Sequence, residues 1–360
     1  MNFIFWLLSI VLCVHFLIQL QRIYVVIRNR QRLFTFYRSR CEAKTASSKF
    51  TCHDDDDIDN QKYQAQLHRF VQICSANGRP ELGMFQLAPL ITHHMARESS
   101  ALLLGPAAIL MQLAHWQVAY GVNFHSYSST TQGMQLRAIR TLMHGMAITF
   151  GTLNDSVKSS KTIRALHMRV SGLTAFGGNN YAANNKQAML WVLATIIESS
   201  VVAYEIFIRQ MTNVEKETNY EFSRQTACVW GLSEDDLPPT WSAFLEYYHS
   251  MLNSDCLCAP PPTHDIVKVM LPSTWERIHA TTLLPPHLCQ LLKFPKPSMW
   301  TLLFSCLLYS LFSAVYRLLP VRVRQLTWYA DWQRRERRDD QLGMIERTMA
   351  KVGRRLLGTM

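Results

Sequence analysis

Residues 3 to 20 form an apolar stretch without a charged side chain, FIFWLLSIVLCVHFLIQL. At about 1.5 Å per residue, a helix of this length nearly spans the roughly 30 Å hydrocarbon layer of a bilayer. A cleaved signal peptide is the alternative, but no basic segment precedes the stretch and no small-residue cleavage site follows it. The pattern therefore predicts a transmembrane anchor over residues 1–21.

The basic residues after the anchor indicate on which side of the membrane the chain folds. They are Arg22, Arg28, Arg30, Arg32, Arg38 and Arg40. Lys and Arg beside a span remain on the cytoplasmic side, so we expect a single-pass protein whose main domain faces the cytosol. The sequon at Asn154 leaves the opposite orientation open, because a glycan there would place the domain in the lumen.

A second apolar stretch covers residues 299–316 (MWTLLFSCLLYSLFSAVY) and is also long enough to span a bilayer. A span here would carry the basic tail around Arg334 and Arg337 into the lumen, against the same charge rule. A buried or interfacial helix satisfies both observations and is the prediction for this stretch.

Between the apolar stretches, the spacing of apolar residues predicts helices in most segments. They cover 62–76, 81–96, 105–119, 132–150, 158–172, 185–212, 218–230, 239–253, 264–268 and 274–292. No two neighbouring segments sustain the alternation of a strand, so the predicted class is all-α. We expect a basic juxtamembrane segment and acidic linker over 22–61, a large single helical domain over 62–295, and a helical extension over 296–360.

Composition and motifs exclude several classes of function. The net charge of +11 lies largely beside the apolar ends, and no basic stripe interleaved with aromatics indicates nucleic-acid binding. The nine cysteines are dispersed, without a CxxC pair, which favours a reducing compartment over a disulfide scaffold. The sequence also lacks a phosphate-binding Walker loop, a dinucleotide glycine fingerprint, a GxSxG elbow and an HExxH zinc helix.

Polar residues on two successive predicted helices indicate a binding site. Arg137, Arg140 and Thr141 share one helix face, and Arg164 and His167 share a face of the next helix. An imidazole and several guanidinium groups suit a dianionic porphyrin, because imidazole ligates iron and arginine pairs with propionates. Helical histidines and arginines are more often structural or surface residues, so the residues alone leave a helical, membrane-linked domain with a buried polar pocket.

Four sequence blocks, in this order along the chain, resemble one known family. They are GPAAILMQLAHWQVAYGVNFHS (105–126), LRAIRTLMHGMAITFG (136–151), IRALHMRVSG (163–172) and YAANNKQAMLWVLATIIESSVVAYE (181–205). The chain resembles the ER-bound oxygenase/rubber oxygenase catalytic domain, the family of latex clearing protein, and is most similar in style to the fungal ER-bound oxygenase of mycophenolic acid biosynthesis. The resemblance covers about residues 65 to 290.

The resemblance implies an all-helical domain that encloses haem b. It puts the iron ligand at His167 and residues near the haem at Arg137 and Thr141, beside which we place Arg164. The distal lysine of latex clearing proteins falls on Arg140, which does not readily lose its proton and so excludes lysine-type ligation. Many relatives also have proline after the histidine of the first block, where this chain has Trp116.

The function implied is oxidative cleavage of a C=C bond in a lipophilic isoprenoid or prenylated substrate, at the endoplasmic reticulum membrane and in secondary metabolism. Its partners would be the substrate, O2 and, where the reaction needs one, an electron donor. Arg140 and His125 are the candidate catalytic residues, with His115 and His144 as further distal candidates. A non-catalytic haem or lipid carrier of the same fold, or a membrane scaffold without a cofactor, are the alternatives.

Overall fold

The computed structural model describes residues 17, 20–28, 60–76, 78–123, 130–174, 180–271, 274–295 and 297–337. Nearly all of these residues are helical, which confirms the all-α class. The first helices are α1 (residues 20–28), α2 (Asn60–Ala76), α3 (Leu90–Ala96), α4 (Gly105–Ala114), α5 (Trp116–Asn123), α6 (Thr131–Phe150), α7 (Leu153–His167) and α8 (Lys186–Phe207). They are followed by α9 (Asn213–Gln225), α10 (Trp241–Leu252), α11 (Pro261–Met270), α12 (Thr274–Leu283), α13 (Pro286–Leu291), α14 (Met299–Leu318), α15 (Val321–Arg324) and α16 (Thr327–Arg337).

Shorter elements connect these helices. Short 3-10 helices occur at Pro80–Leu87, Ser99–Leu104, Ala227–Trp230 and Glu234–Asp236. An antiparallel hairpin of β1 (Ser171–Leu173) and β2 (Asn180–Ala182) takes up the end of the helix predicted over 158–172. Most of the predicted anchor and the acidic linker lie outside the described residues.

Two apolar clusters form the core. The larger one packs α4, α8 and α10 together around fully buried Trp191, Phe207 and Phe244. The smaller one joins the 3-10 segment Pro80–Leu87, α6 and α16, where Phe85 makes edge contacts with Phe150 and Trp332 at centroid distances of 4.9 and 5.3 Å. Helices α8 and α14 are both long and apolar enough to cross a bilayer, but α8 is the central helix of the core.

The turn between α6 and α7 is fixed by a close backbone contact at Gly83. This glycine has φ 59° and ψ −152°, a conformation that residues with a side chain rarely adopt. A Cβ added there would lie 2.3 Å from the carbonyl oxygen of Gly151. Since Gly151 lies in the turn before α7, the absence of a side chain at Gly83 permits the α6–α7 hairpin to reach its position.

Substituting Gly83 with alanine is expected to lower the free energy of unfolding by about 2–4 kcal/mol, because backbone strain adds to the clash. Gly78→Ala is the matched control, since Gly78 has φ 73° but no atom near the added Cβ. It should cost only about 1 kcal/mol. Denaturant unfolding of both variants, followed by circular dichroism, compares them, and equal losses would show that the close contact contributes nothing.

Candidate functional site

Helices α6 and α7 pack against each other along a hairpin and bring polar side chains together. Thr152 begins α7 through a capping box with Asp155, which satisfies the exposed backbone N–H groups of the first turn. At the other end of α7, His167 lies in the last turn, three residues after Arg164. The guanidinium groups of Arg164 and of Arg137 on α6 both lie close enough to affect the charge of His167.

The environment of His167 keeps its imidazole neutral. Burial, and then the positive charges of Arg137 and Arg164, lower the pKa of His167 to about 4. Its Nδ1 atom is buried and has no hydrogen-bond partner among the described residues. A neutral imidazole is the form that binds a metal ion, so at neutral pH this side chain is ready to act as a ligand.

The two arginines are held in place by different contacts. Nη1 of Arg137 donates a hydrogen bond to the carbonyl of Val122 at the end of α5, at 3.1 Å. Burial lowers the pKa of Arg137. The Arg164 guanidinium lies over the ring of Tyr63 on α2, with 5.5 Å between its Cζ and the ring centroid. Both arginines are thus positioned by the surrounding fold beside His167.

Tyr63 belongs to a buried chain of hydrogen bonds that supports Arg164. Its hydroxyl lies 2.7 Å from the hydroxyl of Ser160, which donates a hydrogen bond to the carbonyl of Val229 at 2.6 Å. Burial raises the pKa of the Tyr63 hydroxyl. Sequence reasoning missed Tyr63 and Ser160, because they are far apart along the chain and form no motif.

The other candidate residues lie in different surroundings. Arg140 and Thr141 follow Arg137 on α6 and have exposed side chains, whereas His144 is half-buried. His115 is completely buried, and its ring is parallel to that of Trp116 at a centroid distance of 6.5 Å. His125 lies outside the described residues.

The residues at the site fit a cofactor that supplies most of its own ligands. No group of three or more His, Cys, Asp or Glu side chains among the described residues could hold a bare metal ion. The iron of a haem is already bound by four porphyrin nitrogens, so a single side chain is enough to attach it to the protein. The half-buried, neutral His167 could provide that ligand, and Arg137 and Arg164 are two cations that would suit the two propionate groups of the haem.

Comparison with known families gives one match. Residues 92–354 match the profile of the family described as ER-bound oxygenase mpaB/B'/Rubber oxygenase, catalytic domain. The matched region contains the whole α6–α7 site as well as α14 and α16, and the boundary predicted at residue 295 falls inside it. No curated protein and no solved structure gives a significant match to the chain.

Proposed function

The chain belongs to the family of ER-bound oxygenase/rubber oxygenase catalytic domains, which makes it an oxygenase, and we propose that it depends on haem b with His167 as the iron ligand. The observation that carries this proposal is the half-buried imidazole of His167 in the last turn of α7, whose buried Nδ1 has no hydrogen-bond partner among the described residues. The nearby guanidinium groups of Arg137 and Arg164 help to keep this ring neutral. With a pKa of about 4, the His167 ring is too weak a base to serve well as a general base at neutral pH. A metal ligand needs the neutral ring, which is the form present.

Haem b, when bound, supplies the iron chemistry by which O2 cleaves a C=C bond. The protein residues bind and orient it. His167 would donate a ring nitrogen to the iron. Its Nδ1 has no hydrogen-bond partner among the described residues, and the positive charges of Arg137 and Arg164 act on the ring. Arg137 and Arg164 would hold the group through charge-assisted hydrogen bonds to its propionates.

The exposed positions on α6 are assigned to the distal side of the site. Arg140 lies three residues after Arg137 and has an exposed side chain. Its N–H donors would be available to hydrogen-bond O2 or a propionate. Thr141 offers a hydroxyl beside it. His125 completes the proposed catalytic pair with Arg140. Lipophilic alkenes of the isoprenoid class are the proposed substrates, which suits an enzyme that faces the cytosol at the endoplasmic reticulum membrane.

The experiment that tests the function measures haem content and oxygen uptake together. The full chain, purified in detergent, should carry about one haem b and consume O2 when an unsaturated isoprenoid is added. The saturated isoprenoid is the matched control and should give no uptake. Haem without substrate-dependent uptake would show a carrier, and the absence of haem after expression with ample haem supply would contradict the proposal.

Replacing Arg137 with glutamine is expected to weaken haem retention by about tenfold, because a charge-assisted pair with a propionate is lost in a partly buried site. Arg69→Gln is the control, since Arg69 is exposed on α2, away from the α6–α7 site. The rate of haem transfer to an excess of apomyoglobin measures retention. Equal rates for the two variants would mean that Arg137 does not contact the cofactor.

A further inference from the structure

Helix α14 turns its large apolar side chains away from the protein. Its exposed side chains are Met299, Trp300, Leu303, Phe304, Leu307, Leu311, Phe312, Val315 and Leu318. Trp300 and Leu318, near its two ends, are 80 % and 84 % exposed, and Leu311 in the middle is 55 % exposed. We refer to these side chains as the α14 apolar face. A patch this long is larger than the scattered apolar residues normal for a soluble surface.

The opposite side of α14 consists of serine, cysteine and tyrosine side chains, and it packs on the protein. Its buried residues are Ser305, Cys306, Tyr309, Ser310, Ser313 and Tyr316. Ser313 donates a hydrogen bond to the carbonyl of Phe207 at the end of α8, at 2.8 Å. The helix therefore has the reverse of the usual arrangement, in which the large apolar residues face the core. Such a reversed helix is stable where its outer face meets an apolar medium.

The chain does not cross a bilayer through α14 alone, because the elements on both sides of this helix pack into one body. Phe294, just before α14, belongs to the larger core cluster. Tyr329 and Trp332 on α16, just after it, belong to the smaller one, beside Phe85. Both ends of α14 are therefore on the same side of any membrane that the helix contacts.

The charges around α14 suit an anionic surface. Between Glu276 and Asp331 the sequence contains no acidic residue. Lys293 before the helix and Arg322 after it are exposed. Arg322 lies between Val321 and Val323 on α15, which are 41 % and 52 % exposed and continue the apolar surface. Basic residues beside an inserted apolar face bind anionic lipid headgroups.

Helix α1 packs near the carboxyl-terminal end of α14. Arg22 of α1 and Arg317 of α14 both donate hydrogen bonds to the carbonyl of Ile208, at 3.0 and 3.5 Å. Burial and the charge of Arg317 lower the pKa of Arg22 to about 10. The apolar stretch of residues 3–20 leads directly into α1 and shares its last residue with that helix. The chain thus enters this body next to the α14 apolar face.

We propose that the α14 apolar face, continued by α15, is a second membrane contact that lies in the interface of an anionic bilayer, parallel to its plane. It holds the catalytic domain against the membrane that the amino-terminal stretch reaches. An in-plane helix also explains why this second stretch is long and apolar although the basic tail stays on the same side as the domain. This membrane contact requires neither haem nor a particular substrate.

Photocrosslinking to lipid tests the proposal with the full chain. The protein is reconstituted into phosphatidylcholine vesicles with phosphatidylserine and a phospholipid that carries a diazirine in its acyl chain. Peptides from residues 299–324 should be labelled, and the α9 peptide with Val214, which is 75 % exposed, should not. In the L311D/V315D variant the label on 299–324 should fall about tenfold, because two charges replace apolar contacts at the interface.

The variants separate docking from misfolding, since both substituted side chains point away from the protein. Val214→Asp is the matched control and should leave the labelling unchanged. Label confined to residues before α1 would overturn the proposal, as would crosslinks between two copies of residues 299–324 without lipid label, which would make this face a homodimer interface. Labelling of the wild-type helix that the double variant abolishes would support it.

Discussion

Replacing His167 with alanine is expected to yield a folded protein without bound haem. The side chain lies at the end of α7 and is only partly enclosed, so its removal leaves the helix caps and both core clusters intact. The iron would lose its only proposed protein ligand, and the neighbouring arginines cannot take its place because they remain protonated. Absorption spectra and a pyridine haemochrome assay should show the loss of the Soret band and at least about a tenfold drop in haem per chain.

Two controls make this result specific to ligation. His68→Ala removes a histidine from the exposed side of α2 and should keep the wild-type spectrum. Imidazole added to the His167→Ala variant during haem loading should restore part of the Soret band, because a free ligand can occupy the vacated position. Full haem binding by His167→Ala, with a spectrum like that of the wild type, would rule out His167 as the ligand.

The sequence predicted that polar residues of α6 and α7 lie near one another, because the spacing that indicates this is local. Three-residue spacing put Arg164 and His167 on one face, and a short turn made an antiparallel pair of helices the expected arrangement. The support behind that site was not predictable in the same way. Tyr63 reaches Arg164 and Ser160 from a helix almost a hundred residues earlier, and only the packed fold brings these three side chains together.

Helix boundaries show the same division between local and tertiary causes. The predicted helix over 158–172 begins earlier, at Leu153, and the capping box of Thr152 and Asp155 is a local signal that could have located that start. The break at His115 has no local signal. There the backbone N–H of Trp116 donates to the carbonyl of Cys256, and that of Ala259 to the carbonyl of Ala114, so a distant segment interrupts the helix.

In the carboxyl-terminal region, a buried charge determines how the helices pack. The sequence predicted a helical extension over residues 296–360. In the structure α14, α15 and α16 contact the body around Glu98, whose side chain is only 2 % exposed. Its carboxylate forms ion pairs with Arg97 at 3.0 Å and Arg324 at 3.3 Å and accepts a hydrogen bond from Tyr316 at 3.2 Å. The backbone N–H of Leu326 also donates to the carbonyl of Arg97.

Substituting Glu98 with alanine is therefore expected to lower the free energy of unfolding by about 3–5 kcal/mol, because the guanidinium of Arg324 stays buried without its carboxylate partner. Glu221→Ala is the matched control. Glu221 also pairs with an arginine, Arg224, at 2.7 Å, but its carboxylate is 40 % exposed, so its loss should cost less than about 1 kcal/mol. Denaturant unfolding of the detergent-purified variants measures both.

The double variant E98L/R324M distinguishes a requirement for the ion pair from a requirement for filled volume. It removes both charges from the buried site, and apolar replacements of similar volume often restore the stability that a single deletion loses. We expect it to recover most of the loss of Glu98→Ala. If it is as unstable as the single variant, the hydrogen bond from the Tyr316 hydroxyl to Glu98, which both variants lack, stabilises the packing of α14, and the ion pair contributes little.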